Sequence, residues 1–461
     1  MDGAKCTEDL VRFVTETQYA RFPPEVLTAA KRCILDGIGV ILAGSTEPCS
    51  RIVLEYVRSL RGRRECTILG KGRFRAPAPL AALVNGTAGH AMDFDDSLMP
   101  QTPDRAVLVH PTLTPLAAGL AIGEKVGASG RDFLTAFLVG FEVECRISEA
   151  IHPDHWKRGF HTSNTIGVFG AALTAAKLMK LAPEKVRNTI GIAASTASGL
   201  MVNFGTMVKP LHAGRAAESG VASAQMAGLG YAAHPEAMDG PKGFFHAFAG
   251  GFDIRQIHDR LGRPFSVLGV STKPYPCGVV GHPIMDGAKS LIVKHDIRPE
   301  VVEGVKVATG SHVLNLLRYP KAQNELQAKF CIPFQVASII LRRKAGVKEF
   351  TDAFVRSHAA QKMMDRVKAV ADPEIDALGM DKTVTRIEIR LRDGRVLREE
   401  FSKPYRGGPG NPLSPEDLME KFNDCVQGVL KPAQGKRLQN VVASLEGLDY
   451  VGALAKMASV P

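Results

Sequence analysis

The stretch TSNTIGVFGAALTAAKLMK, residues 162–180, repeats apolar side chains at the spacing of one helix face. Most of its other positions carry Gly, Ala, Ser or Thr, whose short side chains allow neighbouring helices to approach closely. The pattern predicts a helix over residues 166–181. Because so many of its residues are small, we expect other helices to pack tightly around it.

The same periodicity extends on both sides of this stretch, through residues 1–250. Prolines open several of the periodic segments, where a missing amide hydrogen costs nothing because the first turn has no partner for it. Short glycine-containing links join the segments, so an all-α bundle is predicted. Its further helices are expected over residues 26–41, 80–92, 113–126, 133–147, 186–201 and 216–229.

Near residue 265 the pattern changes from helical spacing to alternation. VEGVKVAT at 302–309 and VTRIEIRLRDGRVLREEF at 384–401 alternate in period two, and the second contains the hairpin-turn signal Asp393-Gly394. Between them, residues 333–343 and 351–370 have helical spacing. The middle of the chain is therefore predicted to be α+β.

Two domains are the natural expectation for a chain of 461 residues, which exceeds one ordinary core. The predicted fold is mainly α, with a large all-helical domain and a smaller inserted α+β domain. Residues 1–265 and 406–461 are assigned to the helical domain, and residues 266–405 to the insertion.

Charge and cysteine content exclude several classes of protein. The net charge is +11, from 58 Lys and Arg against 47 Asp and Glu, but the basic residues are scattered, so no nucleic-acid partner is expected. The eight cysteines are widely spaced without a C-x-x-C pair, which argues against a zinc ribbon or a disulfide framework. Neither a secretory pattern nor a membrane-spanning run is visible, so a cytoplasmic protein without a membrane partner is expected.

Histidines and a lysine stand repeatedly at the predicted start of helices rich in small residues. His110, His161 and His282 each precede such a segment, and Lys209 and His212 together precede another. Because a helix N-terminus carries free amide hydrogens and partial positive charge, it favours a bound carboxylate. A titratable side chain there adds a proton donor or acceptor. This repetition predicts a site for a small polycarboxylate.

The string HAMDFDDS, residues 90–97, places three carboxylates in a short span. Asp93, Asp95 and Asp96 cannot all be buried without cationic partners. For Asp95 and Asp96, a solvated helix end is the simpler interpretation. For Asp93 we predict a pairing with a histidine or lysine, which would orient that residue and set its protonation.

Taken in order, these motifs resemble the MmgE/PrpD family over nearly the whole chain. The resemblance is carried by HAMDFDDS, His110-Pro111, GFHTSNTIGVFGAALTAAKLMKL, GTMVKPLHAGRAAESG, KPYPCGVVGHP, ELQAKFCIPF and RGGPGNPLSPEDLMEKF. It implies a helical domain with an inserted α+β lid, no metal and no organic cofactor, and a homodimer. The family includes 2-methylcitrate dehydratase, cis-aconitate decarboxylase and an epimerase, so the resemblance does not fix the reaction.

The resemblance also implies which residues form the site. From the helical domain these are Asp93, Ser97, His110, His161 and Lys209, and from the lid Lys273 and the residues after Cys277. Ser97 stands where many members have threonine, which keeps the hydroxyl. Gly278 stands where several members, aconitate decarboxylases among them, have a histidine, so a proton donor is missing there unless Lys273 or His282 replaces it. The link 98–109 is longer than usual in the family.

The leading hypothesis is a cofactor-free lyase of the 2-methylcitrate dehydratase type, acting on a small di- or tricarboxylate. His161 or His110 is expected to act as base or acid, and Asp93 to orient one of the cationic groups. Lys209, His212 and the helix N-termini are expected to hold carboxylates. Decarboxylation, which the missing lid histidine ranks lower, and epimerisation are the alternatives. A non-catalytic helical scaffold is a remote one.

Overall fold

The computed structural model describes residues 6–99, 108–379, 384–402 and 404–461. It is mainly helical with a small mixed sheet, as predicted. Most of the link 98–109 lies outside the described residues. The first helices are α1 Cys6–Glu16, α2 Pro24–Gly44, α3 Pro48–Ser59, α4 Ala78–Ala91, α5 Leu113–Val126, α6 Gly130–Ile151, α7 Asp154–Lys157, α8 Thr162–Thr165, α9 Gly167–Leu178, α10 Pro183–Thr196, α11 Val208–Gly228, α12 Phe244–Ala249 and α13 Arg255–His258.

The second half of the chain mixes helices with the longer strands. Its helices are α14 His282–Lys294, α15 Ser311–Leu316, α16 Glu325–Ala328, α17 Ile332–Arg342, α18 Asp352–Val355, α19 His358–Met364, α20 Pro373–Asp376, α21 Pro415–Val426, α22 Pro432–Ala443 and α23 Gly452–Met457. The strands of the whole chain are β1 Cys66–Thr67, β2 Gly70–Lys71, β3 Arg75–Ala76, β4 Val302–Thr309, β5 Val367–Ala371, β6 Thr385–Leu391, β7 Val396–Phe401 and β8 Ser459–Val460.

Small residues set the close packing of α4 against α11. A Cβ added to Gly214 would lie 2.1 Å from the Thr87 hydroxyl oxygen, and one added to Gly86 would lie 2.9 Å from the Ala213 carbonyl oxygen. Any larger side chain at either position would force the two helices apart. This contact matters for the site because α4 ends just before Asp93 and α11 carries Lys209.

The C-terminal helices pack on the first half of the chain. Gly39 of α2 lies against Phe422 of α21, since a Cβ there would be 3.1 Å from the Phe422 ring. Val451, just before α23, similarly faces Gly123 of α5. Strand β8 pairs in parallel with β2, so the last residues are tied to the first hundred.

The larger sheet has the order β5-β4-β6-β7. β4 and β5 are parallel, and β6 is antiparallel to both β4 and β7. The β6–β7 connection is the predicted hairpin, and Gly394 has a φ of 86°, a left-handed value that favours glycine. A hydrophobic cluster separate from that of the helical bundle lies between this sheet and helices such as α14 and α17.

One helix prediction is wrong. Residues 351–370 form the short helices α18 and α19 and then strand β5, because Val367 and its neighbours pair along β4 and tertiary pairing overrides helical spacing. The helix predicted over residues 166–181 is present as α9, and a separate turn, α8, precedes it. The Ser163 and Asn164 side chains bond to His161 and Ser198, and such polar side chains stabilise turns at the expense of a regular helix.

Among the helices in the described parts of the chain, none combines the length and the apolar character needed to cross a membrane. All eight cysteines are buried and free.

Candidate active site

Two lysines share one carboxylate oxygen of Asp93. Lys209 Nζ donates to Asp93 Oδ1 at 3.0 Å, and Lys273 Nζ donates to the same oxygen at 2.9 Å. All three side chains are buried. Burial alone would raise the pKa of Asp93, but Lys209 and Lys273 outweigh it and hold that pKa well below the ordinary value. The predicted pairing of Asp93 with a cation is therefore present, with two cations.

Asp93 also has an unusual backbone. Its φ is 50°, a left-handed value that is costly for a residue other than glycine. Lys273 Nζ donates to the Asp93 carbonyl oxygen at 2.9 Å, so one ammonium holds both the backbone and the side chain. Lys421 Nζ of α21 similarly donates a hydrogen bond to the next carbonyl oxygen, that of Phe94, at 2.8 Å. Strain that is held by several contacts in this way is typical of functional sites.

His90, which the sequence analysis did not assign to the site, connects this cluster to Asp95. Lys209 Nζ donates to His90 Nε2 at 2.8 Å, so the ring proton is on Nδ1, which donates to Asp95 Oδ2 at 2.9 Å. Burial, followed by the positive charge of Lys209, lowers the pKa of His90 to about 4 against the attraction of Asp95. His90 is therefore neutral near pH 7 and fixed in one tautomer.

His110 is oriented by the same acidic segment. Its Nδ1 donates to the Asp96 carbonyl oxygen at 2.8 Å and lies 3.2 Å from Asp95 Oδ2. Because a carbonyl only accepts hydrogen bonds, Nδ1 carries the proton and Nε2 is the nitrogen available for proton transfer. The expectation that Asp95 and Asp96 lie at a solvated helix end is wrong. Both are buried: Asp95 is paired with the imidazoles of His90 and His110, and Asp96 accepts a hydrogen bond from the Thr112 hydroxyl.

Asp96 has no cationic side chain bonded to it in the described parts of the chain. Its Oδ2 accepts a hydrogen bond from the Thr112 hydroxyl at 2.5 Å, and its Oδ1 is buried without a recorded partner. Burial, with the nearby charges of Asp36 and Asp95, raises the pKa of Asp96 to about 7 despite the hydroxyl bond. Asp96 is thus largely protonated below neutral pH.

The protonation of Asp96 predicts a pH-dependent stability. Because its folded-state pKa is raised, its contribution is full below about pH 4 and is lost as pH rises through about 7. Asp96→Asn cannot titrate, so its free energy of unfolding relative to the wild type should increase by roughly 2–3 kcal/mol between pH 5 and pH 8. Denaturant unfolding of both proteins at these two pH values measures the difference. Parallel pH dependences would show that Asp96 is ionised in the folded protein.

His161 is held by two side-chain contacts. Its Nδ1 lies 2.9 Å from His212 Nδ1, and its Nε2 lies 3.1 Å from the Ser163 hydroxyl. Burial, then the charge of Lys209, keeps the pKa of His161 well below its usual range. The partial positive charge of a helix N-terminus favours the neutral form of His161, whereas a bound anion would favour the charged form. In this structure the His161 imidazole is neutral. The pKa of His212 is lowered to about 4, by burial and then Lys209.

These groups surround a small cavity of about 30 Å³. Its polar lining consists of Asp93, His110, His161, Thr162, Lys209 and Lys273. Its other side chains are apolar: Leu108, Trp156, Phe204, Val279, Leu316 and Phe330, with Gly278 among them. Such a volume holds about one water molecule, so a dicarboxylate requires the lining to move apart. A larger surface cavity of about 650 Å³ beside α1 and α9 contains none of the polar residues named here.

Four sequence-assigned residues lie outside the cavity lining: His212, which contacts His161, and Ser97, Cys277 and His282. Ser97 bonds through its backbone to Ser271, and its buried hydroxyl has no recorded partner among the described residues. Cys277 points its sulfur at Met285, 3.6 Å away, inside the second hydrophobic cluster. His282 lies behind the cavity with Nε2 at 3.4 Å from the Cys277 carbonyl oxygen, and burial, then Lys273, lowers its pKa to about 3.

The expected geometry of the helix starts is also wrong in part. Lys209 and His212 lie inside the first turns of α11, which begins at Val208, and His282 is the first residue of α14. His110 precedes the first residue of α5 by three positions. The starts of α8 and α11 do meet at the cavity, because His161 is the N-cap of α8 and Lys209 is the second residue of α11, whereas His282 at the start of α14 lies outside the lining.

His90, Asp95 and the aromatic walls were missed. His90 and Asp95 could have been found from the sequence, because they lie close to Asp93 on either side, in the same string HAMDFDDS. No spacing rule indicates the aromatic residues, since Phe204 and Phe330 come from distant segments and stack at 5.5 Å between ring centres.

The structure brings together three histidines that sequence spacing kept apart. One ring nitrogen from each of His90, His110 and His161 lies within 4.8 Å of the others, and His90, Asp93 and Asp95 form a second such set. However, His90 Nε2 already accepts a hydrogen bond from the Lys209 ammonium, and both nitrogens of His161 contact other side chains. A metal ion at these sets must displace a buried cation.

We therefore expect chelation to leave activity unchanged. After dialysis against dipicolinate, kcat should stay within about twofold of the untreated enzyme, since the lysines already supply the positive charge. Metal analysis of the protein before and after dialysis provides the control. Loss of activity that one divalent ion restores would contradict this prediction.

Comparison with known proteins agrees with the predicted resemblance. The MmgE/PrpD N-terminal domain model matches residues 8–257, and the MmgE/PrpD C-terminal domain model matches residues 275–447. The chain therefore belongs to the MmgE/PrpD family.

Within the family, the chain is similar to proteins named cis-aconitate decarboxylase. The one from Homo sapiens is 29% identical, with 99% of this chain and 95% of the relative covered. The one from Mus musculus is 30% identical, covering 99% and 93%. The one from Aspergillus terreus is 24% identical, covering 99% and 96%. These names support the decarboxylase alternative better than the dehydratase hypothesis that the sequence analysis ranked first.

Proposed function

We propose that the protein is a carboxy-lyase that releases carbon dioxide from a small unsaturated polycarboxylate of the cis-aconitate type. The observation that carries the proposal is the pair of lysines on Asp93 beside neutral histidines in a partly aromatic cavity. The names of the relatives support the same reaction. The ranking of dehydration first rested on the missing histidine at position 278, and the cavity contains another candidate donor in His110.

In such a reaction the leaving carboxylate is attached to a carbon next to the double bond. When its C–C bond breaks, the electron pair moves through the double bond to the carbon beside a second carboxylate, and that carbon then takes a proton. A carboxylate is destabilised relative to neutral carbon dioxide in a dry apolar site. Phe204, Phe330 and Trp156 supply such surroundings.

The lysines stabilise the charge that develops. The second carboxylate becomes an enediolate, and fixed cations in a buried site favour it strongly. Lys209 and Lys273 are already oriented by Asp93, so little rearrangement is needed when the charge moves. The pKa of Lys273 is raised, because Asp93 and Asp95 outweigh its burial, so it stays charged.

We assign the proton donor to His110. Its Nε2 is the nitrogen left for substrate, and Asp95 and the Asp96 carbonyl orient the ring through Nδ1. His161 lines the cavity, and its contacts with His212 and the Ser163 hydroxyl fix the orientation of its ring. Thr162, whose buried hydroxyl has no recorded partner among the described residues, offers a further donor.

We further propose that the sheet-bearing middle of the chain, about residues 266–405, is an inserted lid on the helical domain. Lys273, Gly278, Leu316 and Phe330 line the cavity from this part, while Asp93 and Lys209 line it from the other. Because the cavity is so small, separation of the two parts is the simplest way to admit substrate. A cytoplasmic location and a homodimer remain predictions, and light scattering of the purified protein tests the dimer.

The reaction is tested by incubating the enzyme with cis-aconitate and 2-methylcitrate in deuterated water, followed by NMR. We expect carbon dioxide release from cis-aconitate and one deuterium in the product, because the carbon is protonated from solvent. Water loss from 2-methylcitrate without carbon dioxide release would establish the dehydratase instead. Deuterium exchange into unchanged acids would establish an epimerase.

A further inference from the structure

The turn that follows α4 is held by ammonium groups that bind its backbone. α4 ends at Ala91, and the last carbonyl oxygens of a helix have no partner within the helix and carry partial negative charge. Three buried lysines from distant segments donate to carbonyl oxygens of residues 91–94. The pairs are Lys329 Nζ to Ala91 at 2.9 Å, Lys273 Nζ to Asp93 at 2.9 Å and Lys421 Nζ to Phe94 at 2.8 Å. The backbone on both sides of Asp93 is therefore held from outside the turn.

Lys421 connects this turn to α2 and α21. Its Nζ lies 2.7 Å from Asp36 Oδ1, so its carboxylate partner belongs to α2 and not to the turn. The same ammonium lies 4.2 Å from the centre of the Phe94 ring, a distance at which the ring attracts a cation. Because these contacts fix the ammonium, the Phe94 carbonyl oxygen meets a donor that is already oriented.

The conformation of the turn matters because groups of the site depend on it from both sides of Phe94. Asp93, with its φ of 50°, leaves the left-handed region readily unless other contacts hold it there. If the turn relaxed, the Asp93 carboxylate would move away from the two lysines that share it. The Asp96 carbonyl, which follows Phe94 by two positions, would move away from His110 Nδ1.

We propose that Lys421 is a positioning residue of the active site. Through the Phe94 carbonyl it keeps the turn at Asp93 in its left-handed conformation, and so keeps both the lysine pair and His110 aligned. Lys421 lies outside the cavity lining, so it acts through the turn and not by contact with substrate. The inference rests on the proposed function in that Asp93 and His110 take part in turnover, and it holds for any reaction that uses them.

Kinetics of Lys421→Ala tests this role. We expect kcat to fall roughly tenfold to a hundredfold with KM within about threefold, because the groups of the site remain but are misaligned. The assay follows whichever reaction the wild type catalyses: carbon dioxide release, water loss or deuterium exchange. Lys177→Ala is the matched control, because Lys177 Nζ also donates to a carbonyl oxygen, that of Thr15 at 3.1 Å, in a part of the chain that does not line the site. Its kcat should equal that of the wild type.

Chemical rescue separates the hydrogen bond from the charge. Lys421 lines a second cavity, of about 300 Å³, whose wall includes the exposed residues Lys344 and Glu420, so small solutes can reach it. n-Propylammonium replaces the atoms that Lys421→Ala removes, and it should raise kcat of this variant but not of the wild type. Tetramethylammonium also neutralises Asp36, but it has no N–H to donate and should not restore activity.

Denaturant unfolding tests the same role without turnover. Lys421→Met keeps the length of the side chain and removes only the ammonium. If Lys421 holds the turn for Asp93, this substitution should lower the unfolding midpoint less in the Asp93→Asn background than in the wild type, since the ion pairs of Asp93 are already lost there. Far-UV circular dichroism confirms that each variant is folded, and kinetics of Lys421→Met replaces that of Lys421→Ala if the alanine variant does not fold.

The outcomes separate this inference from the proposed function. Wild-type kcat in the Lys421 variants, or an equal fall in Lys177→Ala, would overturn the positioning role. Equal rescue by both cations would show that only the charge matters, and additive midpoint shifts would show that Lys421 does not act on Asp93. Slower water loss or deuterium exchange in Lys421→Ala, with no carbon dioxide release by the wild type, would overturn the carboxy-lyase and support the positioning role.

Discussion

His110→Gln is expected to lower kcat by roughly two to four orders of magnitude while KM changes little. Glutamine keeps a polar side chain of similar reach but cannot transfer a proton to the carbanion. Because Nδ1 of His110 is held by Asp95 and the Asp96 carbonyl, Nε2 is the group whose loss matters. The measurement is steady-state kinetics with carbon dioxide detection over a range of pH.

His212→Gln is the matched control for this prediction. His212 is a buried histidine of the same cluster, but it contacts His161 and is absent from the cavity lining. We expect its kcat to fall less than tenfold, with the larger change in KM. If His161→Gln rather than His110→Gln abolished turnover and the His110 variant were normal, the donor assignment would have to move to His161.

Asp93→Asn is expected to reduce kcat/KM by about three orders of magnitude and to destabilise the fold by roughly 3–5 kcal/mol. The substitution leaves two buried ammonium groups without the carboxylate that both contact. Each lysine then loses its orientation, and the charge on at least one of them becomes costly. Kinetics measures the first effect, and denaturant unfolding measures the second.

A double variant distinguishes this charge balance from simple loss of packing. Adding Lys209→Met to Asp93→Asn removes one unpaired cation, so the double variant should be more stable than Asp93→Asn alone. Activity should not recover, because Lys209 lines the cavity. If the double variant were less stable by the sum of the two single effects, the residues would act independently and the shared-carboxylate account would be wrong.

The helical segments were predictable because their signal is local. The spacing of apolar residues predicts α5 over residues 113–126, the observed bounds, and period two predicts β4 and the β6–β7 hairpin. The prediction failed where long-range pairing decides, as at β5, whose residues have helical spacing but lie beside β4. The helix predicted over residues 166–181 is present as α9, but the sequence did not indicate that polar side chains fix a separate turn, α8, before it.

The sequence predicted which residues belong to the candidate site better than it predicted how they are arranged. Asp93, His110, His161, Lys209 and Lys273 all line one cavity, as the family resemblance implies. Cys277 and His282 belong to the motif KPYPCGVVGHP that begins at Lys273, but they do not line the cavity and pack behind its wall. Only side-chain direction separates these two groups, and direction depends on which elements surround each residue.

By itself the sequence determined the mainly helical class, the family and the set of groups able to do acid–base chemistry on a carboxylate. Each of these depends on residue identity and local spacing. Tertiary structure alone decided that Asp93 holds two lysines, that His90 and Asp95 belong to the same network, and which nitrogen of His110 is left for substrate. Lys209 and Lys273 come from segments far from Asp93 in the chain, and Lys209 reaches it through the packing of α4 against α11. Charge and protonation in the site follow from that packing, because burial together with the neighbouring charges shifts the pKa of Asp93, His90 and His161.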